Sequence, residues 1–107
     1  MLVPFPFDDL SMTKVRPAFC LTEPIGQHRH VVLAFISSQS LSELQTDVFL
    51  DPKQSDFIIT GLRVPSIIRL HRVMTVSTDL IQRELGELSP RLIAEVTGKL
   101  KLLFGIH

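Results

Sequence analysis

Only the C-terminal segment of this 107-residue chain carries a clear helix pattern, and this constrains what the rest of the chain can form. Ser89 is a suitable N-cap, Pro90 occupies the first helical position, and Gly105 follows the last periodic residue. We therefore predict a helix that ends at about Phe104. The apolar residues of its predicted buried face are Leu92, Ile93, Val96, Leu100, Leu103 and Phe104, whereas Arg91, Glu95, Lys99 and Lys101 fall away from it. Such a helix packs against a sheet.

The rest of the chain consists of short runs of β-branched and aromatic residues, separated by turn-forming residues. Residues 2–7 include two prolines, which cannot donate to a ladder, so this run suits an edge strand. Residues 8–14 read as a loop. The other predicted strands are 15–21, 31–37, 47–50, 57–59, 66–76 with a bend near His71, and 82–88. This spacing predicts a mainly β fold, a small barrel or sandwich.

Length and composition favour one domain over residues 1–107, because 45% hydrophobic residues supply one compact core in a chain of this size. No apolar run reaches the roughly 20 residues needed to span a bilayer, and residues 1–7 carry no positive charge. The lone cysteine, Cys20, lies in an apolar run and cannot form an internal disulfide. We therefore expect a cytoplasmic protein without a membrane segment.

The charges cancel overall but are unevenly distributed. With eleven basic and eleven acidic side chains, the composition lacks the excess positive charge of many nucleic-acid-binding domains. Residues 57–78, however, include no acidic residue. The basic residues of this stretch are Arg63, Arg69 and Arg72, together with His71, which can add charge at mildly acidic pH. The stretch is a candidate phosphate contact, although each arginine could equally be a solvated strand-face residue.

Polar side chains also collect at two predicted strand ends, where a rigid sheet presents functional groups beside loops. Lys14 and Arg16 stand at the start of one strand, and Ser37, Ser38 and Gln39 stand at the end of the next. No nucleophile-elbow motif surrounds Ser37, so the sequence does not support a hydrolase triad.

The histidines do not form a metal-binding pattern. His28 and His30 have neither an acidic nor a cysteine companion at ligand spacing, and an exposed loop explains them better. We predict no metal site and no bound cofactor.

Several short motifs occur in an order that resembles the PemK/MazF-like toxins of type II toxin–antitoxin systems. In the first half they are VPFPFDDLS at 3–11, KVRPA at 14–18 and AFISSQ at 34–39. In the second half they are GL at 61–62, SIIRLHRVMTV at 66–76 and LGELS at 85–89. Each motif is short, but their order and spacing extend the resemblance over nearly the whole chain.

The resemblance implies an SH3-like small β-barrel with a C-terminal α-helix, the fold that CcdB-like toxins share, and a two-fold homodimer. It also implies an endoribonuclease that cleaves single-stranded RNA and is inhibited by a cognate antitoxin. Arg16 matches the family's arginine before a proline, and Ser37 matches its Ser/Thr at the end of the third strand; these are the predicted catalytic residues. The predicted substrate-binding residues are Lys14 and Gln39, which match positions near the same site, and Arg69, His71 and Arg72 of the acid-free stretch.

The chemistry of RNA supports this pair independently. Cleavage without a metal uses the ribose 2′-OH as the nucleophile and leaves a cyclic phosphate and a 5′-OH, so the protein need only assist proton transfer and stabilise charge. Arg16 offers a fork of donors for phosphate oxygens and Ser37 offers one more. Neither is an obvious general base, which leaves His71 or water. A salt bridge from Arg16 to Asp8 or Asp9, and a strand-end cap at Ser37, are the non-functional alternatives.

Two features depart from the family, and two other functions stay open. The chain begins almost inside the first strand, and His71 stands where many members have an acidic residue. The same fold serves CcdB-like toxins, which bind DNA gyrase through the helix end and cleave nothing. A catalytically degenerate toxin that only binds an antitoxin is the other alternative.

Overall fold

The computed structural model describes residues 1–8, 13–38, 41 and 44–106. Its strands are β1 (Leu2–Asp8), β2 (Thr13–Cys20), β3 (His30–Ser37), β4 (Asp47–Leu50) and β5 (Ser66–Ser77). Short 3-10 helices occupy Ser55–Thr60 and Thr78–Leu80, and a single α-helix among the described residues, α1, spans Pro90–Phe104. The strands form one antiparallel sheet in the order β1-β2-β3-β5-β4. The predicted mainly β fold with a C-terminal helix is therefore confirmed, and β1, the strand with two prolines, lies at an edge of the sheet.

The ends of α1 lie where the capping residues predict. The Ser89 hydroxyl oxygen accepts the N–H of Leu92 at 3.2 Å, and Gly105 ends the helix with φ of 66°. The Ser89 hydroxyl also donates to Asp56 Oδ2 at 2.6 Å, and Arg91 Nε donates to the same oxygen at 2.9 Å. The hydrogen bond from Arg91 and, to a smaller extent, the one from Ser89 lower the pKa of Asp56 to about 2. The stabilisation that these hydrogen bonds give the fold is fully present above the pKa of an unfolded aspartate, about 4. It is lost as the pH falls through about 2.

The sheet buries a cluster of apolar residues on each face. The first cluster lies beneath α1 and includes Leu2, Phe19, Ala34, Ile36, Ile68, Leu70, Leu92 and Val96. The second lies on the opposite face and consists of Val3, Phe5, Ala18, Val31, Leu33 and Val76. In β3, odd-numbered residues contribute to the second cluster and even-numbered residues to the first, as expected of a strand buried on both faces. In β5, Ile68 and Leu70 contribute to the first cluster and Val76, after the register shift in this strand, to the second. None of the described helices is long and apolar enough to cross a membrane.

Two members of the predicted helix face are wrong. Ile93 is 42% exposed and Phe104 is 66% exposed, whereas Leu100 and Leu103 pack against the first cluster. The sheet contacts a narrower stripe of α1 than the sequence pattern suggests, because Ile93 lies about 100° around the helix from Leu92.

Two predicted strands are also wrong. Residues 57–59 belong to the 3-10 helix Ser55–Thr60, in which the Thr60 hydroxyl donates to the Phe57 carbonyl at 2.6 Å. Residues 82–88 form no strand and make only an isolated bridge, Leu2 with Gly86. Their backbone bonds are divided: the Leu2 N–H donates to the Gly86 carbonyl at 2.8 Å, and the Glu87 N–H donates to the Ile59 carbonyl at 2.9 Å. The pairing of this segment with each of its two neighbours is too short to form a continuous ladder.

Gly86 allows residues 82–88 to pass close to the end of the 3-10 helix Ser55–Thr60. Its replacement by alanine is therefore expected to be destabilising. An added Cβ would lie 2.3 Å from the Ile59 carbonyl oxygen, so Gly86→Ala should lower the free energy of unfolding by about 2 kcal/mol or more. Gly98 lies in α1 with nothing within 4 Å of such a Cβ, so Gly98→Ala should raise it by about 0.5–1 kcal/mol. Urea titration of both variants measures their free energies of unfolding. Equal stability of Gly86→Ala and wild type would contradict the close contact between Gly86 and Ile59.

Candidate functional site

A cavity of about 780 Å³ lies on the face of the sheet opposite α1. Its lining residues come from four strands and are Phe5, Pro6, Arg16, Pro17, Phe35, Ile36, Ser37, Arg69, Arg72 and Met74. Four residues of the predicted site are among them: Arg16, Ser37, Arg69 and Arg72.

The pairing of β2 with β3 explains why Arg16 and Ser37 line the same cavity. Ala18 pairs with Phe35 across these antiparallel strands. Arg16 and Ser37 each lie two residues beyond this pair, so their side chains return to the same face of the sheet. Arg16 is exposed and Ser37 is half-buried. The described residues give Arg16 no ion-pair partner, and the side chains of Asp8 and Asp9 lie outside the described part of the chain.

A bulge in β5 places two arginines on the cavity face. Ala34 pairs with Val73 and the next residue, Phe35, pairs with Arg69, so residues 70–72 are extra on β5. In a regular strand, residues three apart point to opposite faces, but this bulge lets Arg69 and Arg72 both line the cavity. The Arg72 guanidinium carbon lies 5.2 Å from the centre of the Phe35 ring. The predicted bend near His71 is confirmed.

Arg69 is held by a buried ion pair. Its Nη1 lies 2.5 Å from Asp47 Oδ2, and the two side chains are 7% and 0% exposed. Its Nε donates to the Ser37 hydroxyl oxygen at 3.2 Å. The alternative of a solvated strand-face arginine is therefore wrong for Arg69. Sequence reasoning missed Asp47, because an acidic residue at the start of a short strand gives no indication of the strand beside it.

Of the other predicted site residues, only His71 has a side chain within the described part of the chain. Lys14 pairs with Phe7 in the sheet, but its side chain lies outside the described part of the chain, and so does Gln39. His71 is exposed and is absent from the lining of the cavity.

The remaining candidates lie elsewhere. His28 and His30 are exposed, with ring centres 6.0 Å apart. Within the described residues, no three potential metal ligands come together. Cys20 is half-buried, and burial raises the pKa of its thiol.

The cavity is suited to an anion attached to a flat apolar group. No carboxylate is found among its described lining residues, and the charge of Arg69 is balanced by Asp47, so Arg16 and Arg72 give the lining a net positive charge. Exposed guanidinium groups donate paired hydrogen bonds to phosphate oxygens. Phe35 and Met74 provide apolar surface for a stacked base.

Comparisons with known proteins agree with this architecture. A protein-family model described as the PemK-like, MazF-like toxin of type II toxin–antitoxin systems matches residues 1–104. The comparison with curated proteins gave no match. The structure is similar to that of the Mycobacterium tuberculosis toxin MazF-mt6, with a TM-score of 0.71 and 22% identity over 97% of this chain and 98% of that one. It is also similar to a mycobacterial endoribonuclease in complex with its cognate antitoxin, with a TM-score of 0.69 and 16% identity over 99% of this chain and 92% of that one.

Proposed function

Since this chain belongs to the family of PemK-like, MazF-like toxins of type II toxin–antitoxin systems, we propose that it cleaves single-stranded RNA without a metal ion. The observation that supports this most strongly is the meeting of Arg16 and Ser37 in one cavity, together with Arg72. These groups are hydrogen-bond donors and cations, which can stabilise the negative charge that develops on a phosphate undergoing substitution.

In the proposed reaction the 2′-oxygen attacks the neighbouring phosphorus and the bond from phosphorus to the 5′-oxygen breaks. The 2′-OH loses a proton and the departing 5′-oxygen gains one, so the products carry a 2′,3′-cyclic phosphate and a 5′-OH. Arg16 donates to nonbridging oxygens, and Ser37 adds one further hydrogen bond as negative charge grows on the phosphorane. We assign the removal of the 2′ proton to water, because His71 does not line the cavity.

Substitutions at Ser37 test whether its hydroxyl takes part. Ser37→Thr keeps the hydroxyl, so we expect a rate close to that of wild type. Ser37→Ala removes one hydrogen bond to a charged group, which should lower the cleavage rate by about tenfold to a hundredfold. Initial rates on a labelled oligonucleotide measure both effects, with thermal unfolding as the control for folding. Equal rates for Ser37→Ala and wild type would remove Ser37 from the site.

The proposed partners are a cognate antitoxin and a second copy of this chain. An acidic and apolar antitoxin segment that orders on binding would complement Arg16 and Arg72 and exclude RNA by overlap. The edge strands β1 and β4 and exposed apolar residues support a two-fold homodimer, since such a contact covers the same surface twice. The exposed apolar residues at the end of α1 are Leu102, Phe104 and Ile106.

Arg72→Ala is expected to weaken the binding of both RNA and antitoxin. Arg72 is exposed, whereas Arg69 is buried against Asp47. Arg72 is therefore the better phosphate contact of the two. The slope of the logarithm of RNA affinity against the logarithm of salt concentration should become shallower by about one released counterion. Fluorescence anisotropy with uncleavable 2′-O-methyl RNA, at low and high salt, measures this. If Arg72→Ala loses RNA affinity and binds antitoxin as before at low salt, the two partners do not share a surface.

One observation favours the alternative of a gyrase-binding toxin, namely the exposed apolar end of α1. The discriminating experiment incubates the purified protein with a single-stranded RNA, its duplex and the corresponding DNA, and separately with DNA gyrase in a supercoiling assay. We expect cleavage of the single-stranded RNA alone and unchanged supercoiling. Inhibited supercoiling with intact RNA would support the gyrase alternative.

A further inference from the structure

We propose that Arg69 is a positioning residue, which fixes the direction in which the Ser37 hydroxyl donates its hydrogen bond. The inference rests on the proposed function, because it assigns Ser37 the donor role in RNA cleavage. In this role Arg69 acts through Ser37 and is not itself a catalytic residue.

In the hydrogen bond between Arg69 and Ser37, only Arg69 can be the donor. A guanidinium has five donors and no acceptor, so Ser37 must accept the hydrogen bond from Arg69 Nε, which lies 3.2 Å from its oxygen. The Ser37 proton must then point elsewhere. Since Ser37 lines the cavity, the remaining space into which it can donate includes the cavity. The adjacent positive charge also makes the hydroxyl a stronger donor to an anion.

The surroundings of Arg69 hold its guanidinium in a fixed plane. Asp47 pairs with Arg69 across β4 and β5, and Asp47 Oδ2 accepts from Arg69 Nη1 at 2.5 Å. Asp47 is itself held, because the Leu44 N–H donates to its Oδ2 at 3.0 Å and Lys99 Nζ donates to its carbonyl oxygen at 2.6 Å. A buried donor with this support loses little further freedom when it orders Ser37.

The competing interpretation is that Ser37 only satisfies a buried arginine and that Arg69 serves stability alone. A double-mutant cycle separates the two interpretations. Arg69→Lys keeps the charge opposite Asp47, but one ammonium group cannot reproduce the fork that reaches both Asp47 and Ser37. Arg91→Lys, at an arginine that pairs with Asp56 far from the cavity, is the matched control. If Arg69→Lys fails to fold, the charge-free combination Arg69→Gln with Asp47→Asn takes its place.

We expect Arg69→Lys to lower kcat by about tenfold to a hundredfold with little change in KM, and Arg91→Lys to leave both unchanged. In the Ser37→Ala background, Arg69→Lys should change kcat less than about twofold, because the group through which it acts is gone. The same loss in both backgrounds would overturn the proposal.

A second readout does not depend on cleavage. Three-bond Hα–Hβ couplings in NMR spectra report the side-chain rotamer of Ser37, which should be single in wild type and averaged in Arg69→Lys. Averaging in wild type would overturn the positioning role. A wild-type protein that cuts no RNA but shows a single Ser37 rotamer, lost in Arg69→Lys, would refute the proposed function and leave the role of Arg69 supported.

Discussion

Arg16→Ala is expected to lower the rate of RNA cleavage by about 10²–10³-fold, which is the usual cost of removing one donor that stabilises charge in a transition state. Arg16 is exposed and belongs to neither apolar cluster, so the variant should unfold within about 0.5 kcal/mol of wild type. Single-turnover rates on a labelled oligonucleotide, together with urea unfolding, measure the two quantities on the same preparation.

Two further variants identify the property of Arg16 that matters. Arg16→Lys keeps the charge without the planar fork, so it should recover only part of the lost rate. Arg83→Ala removes an exposed arginine that does not line the cavity and should cleave as wild type does. Undiminished cleavage by a stably folded Arg16→Ala would remove this residue from the proposed mechanism.

Asp47→Asn is expected to lower the free energy of unfolding by about 3–5 kcal/mol, a larger loss than that expected for Gly86→Ala. The substitution leaves the guanidinium of Arg69 buried, at 7% exposure, without its opposing charge. The free energy of unfolding from urea titration measures this loss. Because Arg69 also donates to Ser37, we expect cleavage to fall as well.

The control for this prediction is an ion pair that is not buried. Glu95 accepts from Lys99 four residues further along α1, and both side chains are about one-third exposed, so Glu95→Gln should cost less than about 0.5 kcal/mol. Adding Arg69→Gln to Asp47→Asn removes the uncompensated charge and should restore part of the lost stability. If Asp47→Asn costs no more than Glu95→Gln, the buried pair does not stabilise the fold.

Features that depend on neighbouring residues in the chain could be predicted from the sequence. The limits of α1 follow from Ser89, Pro90 and Gly105, whose effects act within one helical turn. The edge position of β1 follows from its two prolines. The predicted strand at 47–50 coincides with β4, since its short apolar run is bounded by polar residues.

Features set by distant contacts could not be predicted. Residues 57–59 and 82–88 have strand-like composition, yet the first segment closes a 3-10 helix and the second divides its bonds between Leu2 and Ile59. The exposure of Ile93 likewise depends on how much of α1 the sheet covers. In each case tertiary packing overrides the local pattern.

The candidate site divides in the same way. The family motifs predict Arg16 and Ser37, and the structure brings both to one cavity. The ion pair of Arg69 with Asp47 links residues 22 positions apart through the pairing of β4 with β5, which no local pattern specifies. The bulge of three residues that turns Arg72 towards Phe35 depends equally on the register of β3 with β5.

Cleavage of RNA through the ribose 2′-OH, without a metal ion, is the reaction that we propose for this protein. The most direct test uses two oligonucleotides that differ only by a 2′-deoxyribose at the cleaved position, each incubated with the purified protein in the presence of EDTA. We predict that only the all-ribose oligonucleotide is cut, and that its products carry a 2′,3′-cyclic phosphate and a 5′-OH. Cleavage of the deoxy-substituted oligonucleotide at that position, or loss of all cleavage on addition of EDTA, would contradict this mechanism.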